Sequence, residues 1–392
     1  MHNIIILGIV SFLTDVSSEM VYPLLPLYLT VQLGATPAVV GFIEGIAESL
    51  ASLLKVFSGY FSDKSGKRKP LTIGGYSFSI IGKIFLYFSN SWGLVLTGRI
   101  TDRLGKGVRN APRDALISES CDSKRLGEAF GFHRAMDTLG AVTGILLAFY
   151  FLKILGGNFR TIFFYSMIPA SLGVLLLLTL KEKSNGCKKE VIKVKLSWKN
   201  LSPRLKWFLA VIFLFTLGNS SNQFLLLRAK NMGFEMGTVI LLYLCTNIVY
   251  SIISYPAGKL SDRIGRRTLL VCGYAFYSLV YLGFAVIKTP VYFWLLFSTY
   301  GIYTGLTEGV EKALVAEIAP AEQKATLIGL HATLVGIGLF PASFLAGLLW
   351  NIWGAPAPFY FGSIMGIFAA VGLAVVLKEG IIHEEKEKKL GA

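Results

Sequence analysis

Charge is scarce in this chain. Only 16% of its 392 residues are Asp, Glu, Lys or Arg, while 54% are hydrophobic and the mean hydropathy is +0.61. A soluble domain carries about a quarter charged residues, so the deficit excludes an ordinary soluble enzyme. Cysteine is scarce as well. Cys121, Cys187, Cys245 and Cys272 form no CxxC pair, which gives no disulfide framework and no metal site. Neither a G-x-S-x-G nor an H-E-x-x-H pattern occurs, so no nucleophile or zinc-protease motif points to an enzyme. The sequence is read as a non-enzyme without cofactor or metal. The start, MHNIIILGIV, has no basic n-region and no small-residue cleavage site; it reads as the first membrane span rather than a signal peptide.

Long apolar runs are abundant. A bilayer core of about 30 Å takes about 20 mainly apolar residues per helix. The pattern predicts an all-α membrane protein with twelve transmembrane helices, at 3–32, 36–61, 70–89, 92–118, 124–154 and 159–180, then 206–230, 236–260, 268–287, 291–318, 324–350 and 356–378. The runs are continuous and too long for the alternating strands of about ten residues in a barrel. Four domains follow: a six-helix bundle over 1–180, a basic linker over 181–205, a second six-helix bundle over 206–378 and a tail over 379–392.

The net charge of +15 resembles that of a nucleic-acid binder, but its distribution excludes one. Lys and Arg cluster on every second loop: four lie in 62–70, nine in 181–206, four in 259–267 and four from Lys378 onward. The positive-inside rule puts these loops and both termini in the cytoplasm, here of a cell inner membrane, with the linker beside anionic headgroups.

The halves repeat. GYFSDKSGKRKP (59–70) matches GKLSDRIGRRTL (258–269), RDALISES (113–120) matches EKALVAEI (311–318), and His133 matches His331, all at an offset of 198 or 199. Six crossings per copy make this a parallel repeat, with a substrate site expected between the halves near the midplane.

GRITDRLGKGVRNAPRDALISES (98–120) holds eight charged residues. Arg99, Asp102, Lys106, Arg109 and Arg113 are spaced by three and four, so one helical face carries them, with Asp114 on an adjacent stripe. Each such charge facing lipid costs about 2.5–3.5 kcal/mol or more, so the face must look into the bundle or a water-filled cavity. The acids Asp15, Glu19, Asp102, Asp137, Glu308 and Glu311 are proton-coupling candidates. Asp15 and Glu19, one turn apart, also read as static counter-ions for the span-4 arginines, the reading their spacing favours. Arg99, Lys106, Arg109 and Arg113, with Asn219, Asn222 and Gln223 of span 7, are substrate-cavity candidates, and the basic stripe reads equally well as a structural fastener.

The two repeated loops carry G-x-x-x-D-[RK]-x-G-[RK]-[RK], as Gly59, Asp63, Lys64, Gly66, Lys67 and Arg68, and as Gly258, Asp262, Arg263, Gly265, Arg266 and Arg267. With twelve spans and a six-plus-six repeat, the whole chain resembles the major facilitator superfamily. GKGVRNAPRDAL is similar to a prokaryotic branch of that superfamily not defined by a substrate. Arg99 resembles the arginine of the antiporter pattern R-x-x-Q-G-x-G, with Asp102 in place of Gln. Gly140 and Gly144 are what remains of the exporter pattern in span 5. The resemblance implies a monomeric secondary transporter with alternating access, lined by spans 1, 4, 7 and 10. Gating is expected at Gly59, Asp63, Arg68, Asp114, His133, Gly258, Asp262, Arg266 and His331. The function read from this is proton-coupled efflux of a small organic solute or drug, driven by a proton gradient. The alternatives are proton-coupled import or exchange of an organic or phosphorylated anion, and a non-transporting membrane sensor.

Overall fold

The computed structural model describes residues 2–65, 68–120, 126–180, 203–318 and 324–390. Among these, the chain is helical with no strand. The first half holds α1 (His2–Val21), α2 (Pro37–Ser65), α3 (Arg68–Tyr87), α4 (Trp92–Glu119), α5 (Leu126–Ile154) and α6 (Phe159–Leu178). The second holds α7 (Pro203–Gly218), α8 (Gln223–Asn231), α9 (Met236–Ile264), α10 (Arg266–Val286), α11 (Val291–Ile318), α12 (Lys324–Trp353) and α13 (Ala357–Leu390). Among the described residues, eight segments are long and apolar enough to cross a membrane, by length and composition. In α2, α3, α4 and α11, charged or hydroxyl residues dilute the apolar run. The linker expected at 181–205 lies largely outside the described residues.

Proline shapes the first crossing. After α1 the chain passes through a 3-10 turn (Tyr22–Leu24), a short α turn (Leu25–Leu27) and a π turn (Tyr28–Gln32), around Pro23 and Pro26, which donate no backbone hydrogen bond. Gly34, at φ +64, takes the left-handed conformation that ends the crossing. Span 4 is continuous through Pro112, as its spacing predicts. Span 7 is not. The expected helix over 206–230 breaks between Gly218 and Gln223. The intervening Asn219, Ser220, Ser221 and Asn222 compete for backbone hydrogen bonds, and neighbours satisfy the groups set free. Tyr277 Oη donates to the Gly218 carbonyl at 2.9 Å, and the Ser221 amide donates to Ser343 Oγ at 3.2 Å. The last helix continues to Leu390 instead of ending near 378.

The chain forms two compact units, one of residues 1–192 with Asn222–Leu244 and one of Lys193–Ser221 with 245–392. The boundary at 221/222 falls in the break of span 7. In the first unit α1 packs on α5 and α6, and α4 packs on α3 and α2. Ile4, Leu7, Val10, Tyr76, Ile117 and Leu177 share one apolar core. In the second unit α10 packs on α13 and α11, and α7 on α13 and α12, around a column of rings that includes Phe215, Tyr274, Tyr277, Tyr281 and Tyr303.

Lipid supplies no hydrophobic drive between helices, so close backbone approach holds them together. The α3–α4 seam is made of glycine. A Cβ on Gly75 would stand 2.7 Å from the Gly105 carbonyl, and one on Gly82 would stand 2.7 Å from that of Gly98. A Cβ on Gly107 would stand 2.8 Å from the Ala51 carbonyl of α2. Gly140 and Gly144 of α5 rest on α1 beside Asp15 and Glu19. A methyl on either glycine would stand 3.1 Å from the Asp15 Cβ or 3.0 Å from the Glu19 Cβ, respectively.

The repeat holds at the level of single bonds. Arg68 pairs with Glu119 at 2.8 Å, and Arg266 with Glu317 at 2.9 Å, each partner 198 residues on. Lys69 donates to the carbonyls of Leu178 and Leu180 at the end of α6, at 2.9 and 2.7 Å. Its counterpart Arg267 donates to the Ala374 carbonyl of α13. Lys69 thereby satisfies orphan carbonyls at the C-terminus of α6 and complements its dipole, whereas Ala374 lies inside α13.

Candidate functional site

The charged face of α4 is buried inside the first unit. Arg99 is 4% exposed and its Nη2 donates to both Glu44 oxygens, at 2.7 and 2.8 Å; Glu44 is 1% exposed. Arg103 Nε lies 2.9 Å from Glu48 Oε1. Two acids one turn apart on α2 therefore meet two arginines one turn apart on α4. Gln223 of α8 adds a donor to Glu44 Oε2 at 2.8 Å. Asp102 lies between Arg99 at 3.6 Å and the buried Lys83 of α3 at 3.8 Å. Geometry of this kind is what a buried ion pair needs if attraction is to offset desolvation.

Beside this lattice lies a cavity of about 190 Å³. Asp15, Ser18, Glu19 and Tyr22 line one wall, from one face of the first crossing. Arg99, Asp102, Arg103, Lys106 and Arg109 of α4 line another, and Val21, Glu48, Lys83, Leu86 and Tyr243 complete the lining. The groups differ in how they are satisfied. Arg109 is 5% exposed, donates to Ser79 Oγ at 2.5 Å and sits over the Tyr76 ring at 4.5 Å. Among the described residues it has no carboxylate within ion-pair distance, and its Nε has no hydrogen-bond partner. Lys106 and Asp15 have no ion pair or hydrogen bond there either. Glu19 accepts a hydrogen bond from Tyr243 Oη at 3.2 Å.

The structure brings together Asp15, Glu19, Asp102, Arg99, Lys106 and Arg109 of the sequence candidates. Arg113 is outside the lining and bonds Asp114 at 2.8 Å. Gln223 bonds Glu44 from behind the wall, Asn222 precedes α8, and Asn219 donates to Tyr303 in the second unit at 3.2 Å. Asp137 accepts a hydrogen bond from Ser11 and lies 3.5 Å from His133. In the second unit Glu311 accepts from Tyr274 at 2.8 Å and lies 3.6 Å from His331, and Glu308 pairs with Lys312 at 3.5 Å. Asp262 lies 3.4 Å from Arg266. Gly59 packs near Ala111, and Gly258 has open space around its Cα. The side chain of Asp63 lies outside the described residues.

Sequence spacing does not place Tyr22, Tyr243 or Lys83 at the site, and it offers Glu44 and Glu48 of span 2 as acids within the bundle without assigning them to particular arginines. Glu44 and Glu48 carried a legible signal, a one-turn spacing on α2 that matches Arg99 and Arg103. Glu119 and Glu317 were legible too, since the repeat aligns them. Both acids are half-exposed, and surface pairs contribute about 0–1 kcal/mol. Glu119→Gln is expected to lower thermal stability by less than about 1 kcal/mol. A double-mutant cycle with Arg68→Gln, followed by thermal unfolding in detergent, checks this; coupling well above that figure contradicts it.

A duplicated helical chain with enough apolar helices to cross a bilayer many times, and with a charge-lined internal cavity, is a multi-pass membrane transporter. The family model of the Major Facilitator Superfamily matches residues 7–309 and 221–391. The MFS-type transporter MJ1317 of Methanocaldococcus jannaschii is 39% identical over 95% of this chain and 94% of its own. The multidrug resistance protein MdtH of Blochmanniella pennsylvanica is 23% identical over 94% of this chain and 92% of its own. The crystal structure of the nucleoside transporter NupG superposes with a TM-score of 0.77 at 15% identity, covering 96% of this chain and 100% of that one; this likeness is one of fold. The chain belongs to the major facilitator superfamily.

Proposed function

We propose that the protein is a proton-coupled secondary transporter that exports a small organic solute by alternating access. The observation that carries the coupling is the contrast among the acids of this region, of which Glu44 and Asp102 are buried and Asp15, Glu19 and Glu48 half-buried. Glu44, Glu48 and Asp102 are held by cations at 2.7–3.8 Å. Asp15 and Glu19 face the same cavity without a cation in ion-pair contact, so they are open to a proton. Lys106, Arg109, Glu48 and Tyr243 face them across the space, and Asp137 lies one turn from Gly140 on α5. Solute and proton oppose one another at these acids, giving a coupling free energy of about 1–3 kcal/mol.

The direction rests on MdtH, named for multidrug resistance, and on the antiporter-like Arg99. A cavity of about 190 Å³ is below the roughly 300–1,000 Å³ of drug-sized pockets, which favours a small solute. The loop asymmetry supports cytoplasmic termini, and the reading is of a monomer in the cell inner membrane, driven by the proton gradient. The Arg68–Glu119 and Arg266–Glu317 pairs support gating at the repeated loops.

Asp15→Asn tests the assignment. In vesicles it is expected to lose uphill, gradient-driven movement of solute while downhill exchange persists. Uphill movement at the wild-type rate rules Asp15 out as the coupling acid.

A further inference from the structure

The unpaired groups of the cavity are arranged by sign. On the wall from the first crossing, Asp15 and Glu19 are one turn apart and both lack a cationic partner. On the α4 wall, Lys106 and Arg109 are one turn apart and both lack a carboxylate partner among the described residues. All four line one space of about 190 Å³. Arg109 is 95% buried and keeps an unpartnered Nε. Burying charge is tolerated only where it is paired. These groups stand too far apart to pair with one another, so what fills the space has to answer both walls.

We infer that the transported solute is a small zwitterion of amino-acid size, its ammonium held by Asp15 and Glu19 and its anionic group by Lys106 and Arg109. This rests on the transport reading of the same cavity and names its substrate class. A dianion would satisfy α4 but meet two carboxylates opposite. A diamine would satisfy the first crossing but meet two cations. A neutral solute would leave all four charges unanswered. An ammonium offers three donors, which suits two carboxylates with Ser18 between them. A carboxylate offers acceptor sites for Lys106 and the guanidinium of Arg109. The rings of Tyr22 and Tyr243, with centroids 5.7 Å apart, line the same space, and Tyr243 Oη holds Glu19 in place. The ammonium and the proton then seek the same carboxylates, which supplies the opposition that exchange requires.

The test is equilibrium binding to the purified full-length protein in detergent. The probes are glycine, β-alanine and γ-aminobutyrate, against butyrate, succinate, butylamine and putrescine. At least one of the three zwitterions is expected to bind about tenfold or more tighter than every single-sign probe, since each single-sign probe loses a charge-assisted contact. Lys106→Gln is expected to lose the preference for the zwitterion over butylamine. Glu19→Gln is expected to lose the preference over butyrate. The wild-type comparison stands even if a variant fails to fold. Tighter binding of any single-sign probe, or no binding by any of the three zwitterions, overturns the inference. Proton movement in vesicles without zwitterion binding removes this inference and leaves the transport reading. Zwitterion binding without proton movement keeps this inference and removes the proton coupling.

Discussion

Glu44→Ala is expected to be among the most damaging single changes in the chain. It removes the carboxylate that takes two hydrogen bonds from Arg99 and one from Gln223, and leaves a guanidinium that is 4% exposed without its main partner. Breaking a buried pair from one side costs about 3–5 kcal/mol, because the remaining charge is stranded. That is a large share of a total stability of about 5–15 kcal/mol. Asp102, at 3.6 Å from Arg99, offsets only part of it, since Lys83 shares the same acid. Glu44→Leu combined with Arg99→Leu is expected to recover part of the loss, because no lone charge then remains. Thermal unfolding in detergent, followed by intrinsic fluorescence, reads both. A single variant as stable as the wild type contradicts this account of the lattice.

Gly75→Leu is expected to abolish recovery of folded protein. Its first side-chain carbon would meet the Gly105 carbonyl at 2.7 Å and the Arg109 amide at 2.9 Å. Both are backbone, which cannot rotate away as a side chain can. Overpacking against side chains costs about 1–3 kcal/mol, and separating α3 from α4 costs more, since it also pulls Arg109 off Ser79 and Tyr76. The neighbour supplies the control. A Cβ on Gly74 would have nothing within 4 Å, so Gly74→Leu is expected to be nearly neutral. Monodisperse yield by size-exclusion chromatography compares the two; equal yields contradict the glycine seam.

The α4 stripe was legible because a three-and-four spacing of charges admits one helical face, and lipid excludes it from the outside. The repeat was legible because two loops share a motif at a fixed offset. The partners of the stripe were harder. Asp15, Glu19, Glu44 and Glu48 all present one-turn pairs, and sequence spacing does not say which helix packs on α4. Packing decides it: the glycines of α4 draw in α2 and α3, so Glu44 and Glu48 become the counter-ions, and α1 is left across the cavity. The break in span 7 was written in the run Gly218 to Asn222, but mean hydropathy hides four polar residues inside an apolar stretch. Tyr243 could not be read at all, because its role depends on which helices its segment packs against, and sequence spacing does not give that.

The measurement that tests the central claim most directly uses purified protein in liposomes with a trapped pH-sensitive dye. Organic anions, amines, zwitterions and neutral solutes are added in turn. The account predicts that one class triggers proton movement through the wild-type protein and that Asp15→Asn abolishes it. Undiminished proton movement through Asp15→Asn, or solute flux through the wild type with no proton movement, would contradict it.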